Sequence, residues 1–185
     1  GSGDPGGLRA VATRRSAELF RAVGRAAGAG GAGDVGVALD FPNSVAFFDD
    51  ELWVGDSNNR RVLVFGPDGE LLRLVRVDGI ARGLALVESK TDRYVAVVDA
   101  LTSEIVLLDA EGAEVGRYGG PGATAGRLAY PNDVVFDPGT GQLFVADTGN
   151  ARVQVWSIEW PGEETALDAV LTGPVLSAMR MAGFI

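Results

Sequence analysis

The chain of 185 residues has 46% hydrophobic residues and a formal net charge of −9, and it contains neither histidine nor cysteine. This length and apolar content suffice for one packed domain. The two missing residue types exclude Ser-His-Asp triads, histidine-ligated zinc, thiolate metal sites and disulfides. The acidic balance weighs against general binding to a nucleic-acid backbone, and no run approaches the ~18 apolar residues of a membrane span.

Residues 1–34 have two interpretations. In the first, Phe20–Gly24 is the last strand of a sheet that precedes the repeats described below, Gly28–Gly33 is its glycine-rich exit, and Leu8–Thr13 is the strand before it. In the second, Leu8–Ala27 is a basic amphipathic helix whose composition resembles a transit segment. We favour the first, because its register matches the repeats. The opening Gly-Ser-Gly, without an initiator methionine, is expected of a processed product or of a part of a longer chain.

Residues 35–171 contain three copies of one phrase, in which an apolar strand ends in aspartate and a five-residue turn leads into a second apolar strand. The copies are Leu52–Phe65, Tyr94–Leu108 and Leu143–Trp156. Their aspartates, Asp56, Asp99 and Asp147, are 43 and 48 residues apart. A repeat of about 40–45 residues that is built only from strands and turns is typical of propeller blades.

Aligning the aspartates adds one strand on either side of each copy. The preceding strands are predicted at Phe41–Phe47, Ile80–Leu86 and Tyr130–Phe136. The following strands are predicted at Glu70–Val77, Ala113–Tyr118 and Thr165–Leu171, and glycine-containing turns lead into the first two. Several strands are apolar on both faces, as expected where a sheet is covered on both sides. Each unit is therefore predicted to be a four-stranded antiparallel sheet, and the fold class to be all-β.

The order of these elements resembles the NHL repeat. The match is closest over Pro131–Trp156 and Pro42–Phe65, and the glycine-rich Gly119–Leu128 resembles the approach to each repeat in that family. The resemblance covers roughly residues 17–171. It implies a β-propeller of NHL-type blades, with three complete blades, a partial one and a short C-terminal apolar helix or tail. A weaker resemblance, to the gluconolactonase and strictosidine-synthase-like calcium propellers, rests on Asn132-Asp133.

Three blades raise the question of how the propeller closes. A closed propeller typically has about 4–8 blades, and about six such repeats need about 250 residues. The chain therefore closes as a small four-bladed ring, forms an open arc that a second copy or another protein completes, or is part of a longer chain. Bare strand edges are an aggregation hazard, so an open arc favours a partner.

The polar residues that recur at the turns are predicted to be architectural, because repetition in every blade is explained more simply by blade structure than by a functional site. We expect each aspartate to accept hydrogen bonds from the next backbone N–H groups. We expect the asparagines to adopt the left-handed turn conformation and the arginines to pair with carboxylates of a neighbouring turn. Glu104 replaces the arginine in the middle copy. The set comprises Asp56, Asn59, Arg61, Asp99, Asp147, Asn150 and Arg152.

The candidate binding residues are Asn43, Asn132 and Asp133. In the calcium propellers, a Pro-Asn-Gly turn faces the central channel and its asparagine binds calcium, so that resemblance implies such a role for Asn132. Asp133 replaces the glycine of that turn. A calcium site needs about 6–8 oxygen ligands, and the sequence identifies no companion acidic ligand. A plain turn role is therefore favoured.

The C-terminal segment, 172–185, differs in composition from the blades. Pro174 suits the first position of a helix that extends to Met181, and the segment is too short to span a bilayer. Its apolar side chains either pack on the edge of the propeller or dock on a partner. The residues assigned to docking are Val175, Leu176, Met179 and Phe184.

These observations favour a non-catalytic protein–protein interaction scaffold in a larger assembly, with no catalytic residues, metal or cofactor. The alternative is a calcium-dependent lactonase- or esterase-like hydrolase, in which calcium polarises the ester and an aspartate activates water. Its first residues to test are Asn43, Asn132 and Asp147. Amidating lyases of the NHL family bind zinc through histidines, and its RNA-binding members use a basic face, so both activities are disfavoured. The expected partner is a protein or a second copy that covers the propeller edges; the compartment is not indicated.

Overall fold

The computed structural model describes residues 25–26, 37–89 and 92–158, which form an all-β structure. The strands are β1 (Arg25–Ala26), β2 (Ala38–Leu39), β3 (Pro42–Phe48), β4 (Glu51–Asp56), β5 (Arg61–Phe65), β6 (Leu71–Arg76), β7 (Ala81–Glu88), β8 (Arg93–Asp99), β9 (Glu104–Asp109), β10 (Glu114–Gly119), β11 (Asp133–Asp137), β12 (Gln142–Asp147) and β13 (Arg152–Ser157). Short 3₁₀ turns, Ser57–Asn59 and Thr148–Asn150, follow β4 and β12. Within these described ranges, no helix has the length and apolar character needed to cross a membrane.

Most strands belong to three blades, in each of which every strand pairs antiparallel with the next along the chain. Blade 1 is β3–β6, blade 2 is β7–β10, and blade 3 is β11–β13. The predicted four-stranded antiparallel units are confirmed in blades 1 and 2. The strand expected at Thr165–Leu171 lies outside the described residues, as do residues 1–24 and 172–185 and the predictions made for them.

The apolar core lies between the blades. Successive side chains of a strand point to opposite faces, so alternate residues of blade 2 pack on blade 1 and on blade 3. The residues between blades 1 and 2 include Trp53, Val62 and Val64 on one side and Val95, Val97, Val106 and Leu108 on the other. The residues between blades 2 and 3 include Ala96, Val98, Ile105 and Leu107 on one side and Leu143, Val145 and Trp156 on the other. Both faces of blade 2 are covered, which explains its continuously apolar strands.

The first strand of each blade is innermost. β7 lies beside both β3 and β11, so the three first strands line a common axis, as in a propeller. Each first strand begins where the second strand of its blade ends, because Pro42 pairs with Asp56 and Ala81 with Asp99. The starts of the inner strands and the aspartate turns therefore lie at one end of the blades. We call this the turn end; it comprises residues 41–44, 57–60, 80–83, 100–103, 130–133 and 148–151.

The approach to a blade is built in the same way twice. Ahead of blade 1, β1 pairs in parallel with β2, and Ala26 lies opposite Leu39. Ahead of blade 3, Pro121 forms a parallel bridge with Leu128. Leu39 and Leu128 stand at the same repeat position, 89 residues apart. Residues 25–26 and 38–39 therefore have the arrangement of the glycine-rich segment that connects blades 2 and 3.

Candidate functional site at the turn end of the blades

Blade 1 closes its turn with a buried aspartate. Asp56 is fully buried. Its Oδ2 accepts hydrogen bonds from Arg61 Nε at 2.7 Å and Asn59 Nδ2 at 2.9 Å, and its Oδ1 accepts from the backbone N–H of Asp40 at 2.7 Å. Arg61 also donates through Nη2 to the Ala38 carbonyl at 2.7 Å. Asp56 therefore ties both arms of its turn to the segment that enters the blade.

Blade 3 repeats this network around Asp147. Its Oδ2 accepts hydrogen bonds from Arg152 Nε at 2.7 Å and from the side-chain amides of Asn150 and Gln154 at 2.9 Å each. Its Oδ1 accepts from the backbone N–H of Ala129 at 2.7 Å. Burial alone would raise the pKa of Asp147, but these hydrogen bonds stabilise the carboxylate and hold the pKa below its ordinary value of 3.8. An ionised carboxylate with this many donors is poorly suited to act as a general base.

Three expectations for these turns are wrong. The backbone N–H groups that bond to Asp56 and Asp147 belong to Asp40 and Ala129, in the segments that enter the blades, and not to the next residues along the chain. The left-handed residues are Arg60 and Ala151, each with φ of 52°, and not Asn59 and Asn150. The asparagines occupy the last position of a 3₁₀ turn, from which their amides reach back to the aspartate. The arginines pair with the aspartate of their own turn and not with a carboxylate of a neighbouring one.

The aspartate of the middle repeat has a different set of hydrogen bonds. The Oδ1 of Asp99 accepts hydrogen bonds from the backbone N–H groups of Ile80, Leu101 and Thr102 at 3.0, 3.1 and 3.2 Å. The predicted bonding to the next N–H groups is therefore confirmed for this aspartate. Its Oδ2 is buried and has no hydrogen-bond partner among the described residues. Glu104 stands where the other blades have arginine, so the buried carboxylate lacks their cation.

Glu104 instead belongs to a surface network around Arg117. The guanidinium of Arg117 contacts Glu114 at 2.7 Å, Asp78 at 2.7 Å and Glu104 at 3.3 Å. The hydrogen bond to Glu114 is the largest cause of a raised pKa for Arg117. Arg117 was not among the predicted residues, because nothing in the repeat alignment pairs a fourth-strand arginine with the turn.

The inner strands bring Arg82 beside one of the two candidate asparagines. Asn43 and Asn132 each come directly after the proline of their repeat. Arg82, directly after Ala81, holds the same position in blade 2. Arg82 donates through Nη1 to Asn132 Oδ1 at 3.1 Å. Asn43 donates to Ser57 Oγ at 2.8 Å, and Ser57 in turn donates to the Ala81 carbonyl at 2.5 Å. Arg82 was not among the predicted residues, because the middle copy of the inner-strand motif is degenerate.

Asp133 lies tightly against blade 2. Its Oδ1 accepts a hydrogen bond from the backbone N–H of Val134 at 2.9 Å. A Cβ on Gly83 would lie 2.8 Å from the Cα of Asp133, so this glycine permits the close approach of the two inner strands. Asp133 therefore belongs to the contact between the inner strands of blades 2 and 3.

A calcium ion does not fit this arrangement. The amide oxygen of Asn132, the atom that would coordinate the ion, already accepts a hydrogen bond from the cationic Arg82. Placing a divalent cation beside a guanidinium is electrostatically unfavourable. Within residues 37–89 and 92–158, no group of three or more acidic side chains is placed to hold a metal ion. The calcium-dependent hydrolase alternative is therefore not favoured.

Two exposed aromatic residues also lie at the turn end. Phe41 and Tyr130 occupy the same repeat position, directly before the proline, and are 60% and 70% exposed. Both have a left-handed backbone, with φ of 59° and 45°. The Phe41 carbonyl accepts a hydrogen bond from Ser57 N–H at 3.3 Å, and Tyr130 N–H donates to Ser103 Oγ at 3.3 Å. The signal that sequence reasoning missed is an aromatic residue before proline in two repeats.

A family model described as the NHL repeat matches residues 128–156. The chain carries an NHL repeat. This match confirms the resemblance that the sequence motifs indicated. The matched NHL repeat starts at Leu128 in the glycine-rich approach and ends at Trp156 in the core between blades 2 and 3.

Solved structures support the propeller fold. The chain is similar to the hydrazine synthase of Kuenenia stuttgartiensis, with a TM-score of 0.52 and 16% identity over 72% of this chain and 36% of that one. It is also similar to an auxiliary nutrient binding protein from Bacteroides thetaiotaomicron VPI-5482, with a TM-score of 0.50 and 15% identity over 59% of this chain and 35% of that one. The chain thus matches about a third of each of these proteins. At these identities the likeness concerns the fold alone.

The predicted site residues that the structure describes lie in all three blades. The NHL repeat at 128–156 contains Asn132, Asp133, Asp147, Asn150 and Arg152. Blade 1 has a matching set in Asn43, Asp56, Asn59 and Arg61. The middle repeat contributes Asp99 together with the unpredicted Arg82 and Arg117. The proposed docking residues Val175, Leu176, Met179 and Phe184 lie outside the described residues.

Proposed function

We propose that the chain is a non-catalytic protein–protein interaction scaffold and a component of a larger assembly. The observation that carries this proposal is the pair of exposed aromatic side chains, Phe41 and Tyr130, at the turn end. Aromatic side chains supply large contact areas at little loss of conformational entropy and are enriched in protein interfaces. NHL repeats commonly mediate protein interactions, which supports the same conclusion.

The backbone of these two residues strengthens the argument. A bulky residue at positive φ is an outlier, and the residue before a proline is further restricted toward extended conformations. Such strain costs about 1–3 kcal/mol per residue and is concentrated at functional sites. Phe41 and Tyr130 bear this strain while their side chains stay largely in solvent. Burial in the chain's own core therefore does not account for them.

The chemistry of the turn end also supports a scaffold. Asp56 and Asp147 are buried, and arginine, asparagine and backbone donors occupy their oxygens. Both aspartates hold a blade turn in place. A surface that recognises a protein needs only exposed apolar and polar groups, which this end provides.

The test is a double variant, Phe41→Gly with Tyr130→Gly. Glycine adopts positive φ without the side-chain penalty, so the variant is expected to unfold at a denaturant concentration no lower than that of the wild type. Its capture of protein partners from an extract of the source cells, quantified by mass spectrometry, is expected to fall at least tenfold. The matched control is Asp49→Gly with Asp50→Gly, which relieves φ of 50° and 61° in the turn between β3 and β4, outside the turn end, without removing an aromatic ring.

The control variant is expected to capture the same partners as the wild type. Equal capture by the Phe41→Gly, Tyr130→Gly variant, or wild-type capture no greater than that of blank beads, would overturn the proposed function.

A further inference from the structure

Each end of the described stack of blades presents an apolar sheet face. The blade 1 end face is the side away from blade 2, formed by Val45, Phe47, Leu52, Val54, Leu63 and Phe65. Its outer part packs with Val37 and Leu39, whereas Val45 and Phe47 are 65% and 62% exposed. The blade 3 end face is the corresponding side of blade 3, formed by Val135, Phe144, Ala146, Val153 and Val155. Val135 and Val153 are 58% and 65% exposed.

The two end faces are the two halves of the interface that already joins the blades. In the aligned repeats, Val45, Leu52, Val54 and Phe65 hold the positions of Val134, Leu143, Val145 and Trp156, through which blade 3 packs on blade 2. Val135, Phe144, Val153 and Val155 hold the positions of Ala85, Ala96, Ile105 and Leu107, through which blade 2 packs on blade 3. The blade 3 end face and the blade 1 end face therefore carry apolar residues at the positions through which blades 2 and 3 pack on each other.

A polar contact between the blades follows the same pattern. Ser57 donates its hydroxyl hydrogen to the backbone carbonyl of Ala81 and so links blade 1 to blade 2. Thr148 holds the position of Ser57 on the blade 3 end face, and Pro42 holds the position of Ala81 on blade 1. Thr148 is exposed. A blade 1 that packed on this end face would offer its Pro42 carbonyl to the Thr148 hydroxyl.

We propose that the partner for these faces is a second copy of this chain, packed head to tail. The blade 3 end face of each copy contacts the blade 1 end face of the other. An interface between two different surfaces closes into a ring or continues as a filament. Closed propellers have about 4–8 blades, and two copies of the three described blades would place six around one axis.

This inference rests on the proposed scaffold function, since it names a partner that completes the scaffold. The test is the mass of the full chain in solution by light scattering, with an expected value of twice the chain mass of 19.2 kDa. Val153→Glu on the blade 3 end face and Phe47→Glu on the blade 1 end face are each expected to raise the dimer dissociation constant more than tenfold. Both side chains are exposed in the single chain, so neither variant requires a change in its fold. Ala110→Glu, at the exposed turn before β10, is the charge-matched control and is expected to stay dimeric.

Mixing the two variants separates head-to-tail packing from other arrangements. A Val153→Glu chain keeps its blade 1 end face, and a Phe47→Glu chain keeps its blade 3 end face, so the mixture regains one intact interface. We expect heterodimers in the mixture at concentrations at which each variant alone is monomeric. Dimerisation that only one of the two substitutions weakens would overturn the head-to-tail arrangement. A monomeric wild-type chain at micromolar concentration would overturn the second copy as the partner, and end faces covered within one chain would give that result.

The two proposals fail separately. A wild-type monomer whose partner capture still depends on Phe41 and Tyr130 overturns the second-copy interface and leaves the scaffold function standing. A dimer whose partner capture is unaffected by Phe41→Gly with Tyr130→Gly overturns the scaffold function and leaves the interface standing.

Discussion

Arg152 donates from Nε to the buried Oδ2 of Asp147 at 2.7 Å, and this pair ties the start of β13 to the end of β12. Arg61 and Asp56 form the same pair in blade 1, also at 2.7 Å. A residue that recurs in this way owes its position to the blade turn. Substitutions at these residues are therefore expected to change the stability of the chain.

Arg152→Ala is expected to destabilise the chain by about 1–3 kcal/mol, because a buried carboxylate then loses a charged donor. The measurement is the free energy of unfolding by chemical denaturation. The exposed Arg76→Ala is the control, and its effect is expected to stay within about 0.5 kcal/mol. Equal effects of the two substitutions would contradict a stabilising role for the buried pair.

The hydrogen bonds to Asp147 also predict a pH dependence. The pKa of this carboxyl is lower in the folded state than its ordinary value of 3.8, so the unfolded chain takes up the proton at a higher pH. The stability that Asp147 contributes is therefore present above about pH 4 and is lost as the pH falls through the folded pKa. Asp147→Asn is expected to flatten the slope of unfolding free energy against pH below pH 4. Asp137 also has a lowered pKa but is exposed to solvent, so Asp137→Asn is expected to change the slope less. A slope that only Asp137→Asn changes would contradict this assignment.

The sequence predicted the blades because their signals repeat. Asp56, Asp99 and Asp147 mark the same strand end in three copies, so errors at one copy are corrected by the others. The left-handed conformation is expected one residue too early, at the asparagines. The 3₁₀ turn includes the asparagine, so the left-handed residue is the next one, Arg60 or Ala151.

The residues that sequence reasoning missed owe their roles to contacts between elements distant in sequence. Arg82 meets Asn132 only because blades 2 and 3 share an axis, and the two residues are 50 positions apart. Phe41 and Tyr130 combine exposed side chains with a backbone angle that an aromatic residue before proline does not ordinarily adopt. The contact of Arg82 has no local sequence pattern, and the aromatic residue before proline marks Phe41 and Tyr130 without giving their backbone angle.

The buried Oδ2 of Asp99, which has no hydrogen-bond partner among the described residues, predicts a substitution that stabilises the chain. Thr102 holds the position that Asn59 and Asn150 occupy in the other blades, and its hydroxyl is buried without a hydrogen-bond partner among the described residues. Thr102→Asn places an amide donor where those asparagines reach the aspartate Oδ2. It is expected to stabilise the chain by about 0.5–1.5 kcal/mol, measured by chemical denaturation. Thr102→Val separates the two contributions, since it removes the hydroxyl without adding a donor. An asparagine variant no more stable than the valine variant would contradict the proposed hydrogen bond.

The position of Arg82 predicts how the chain responds to calcium. Its guanidinium holds the amide oxygen of Asn132 at 3.1 Å, so we expect millimolar calcium to leave the melting temperature of the wild type unchanged. An ion present at 100 times its dissociation constant would stabilise the folded chain by about 2.7 kcal/mol, an effect that thermal unfolding detects readily. Arg82→Gln removes the positive charge beside Asn132. The described residues offer no cluster of acidic ligands at this end, so the variant is also expected not to respond to calcium. A calcium-specific rise in melting temperature, abolished by Asn132→Ala and absent with magnesium, would contradict this and restore the hydrolase alternative.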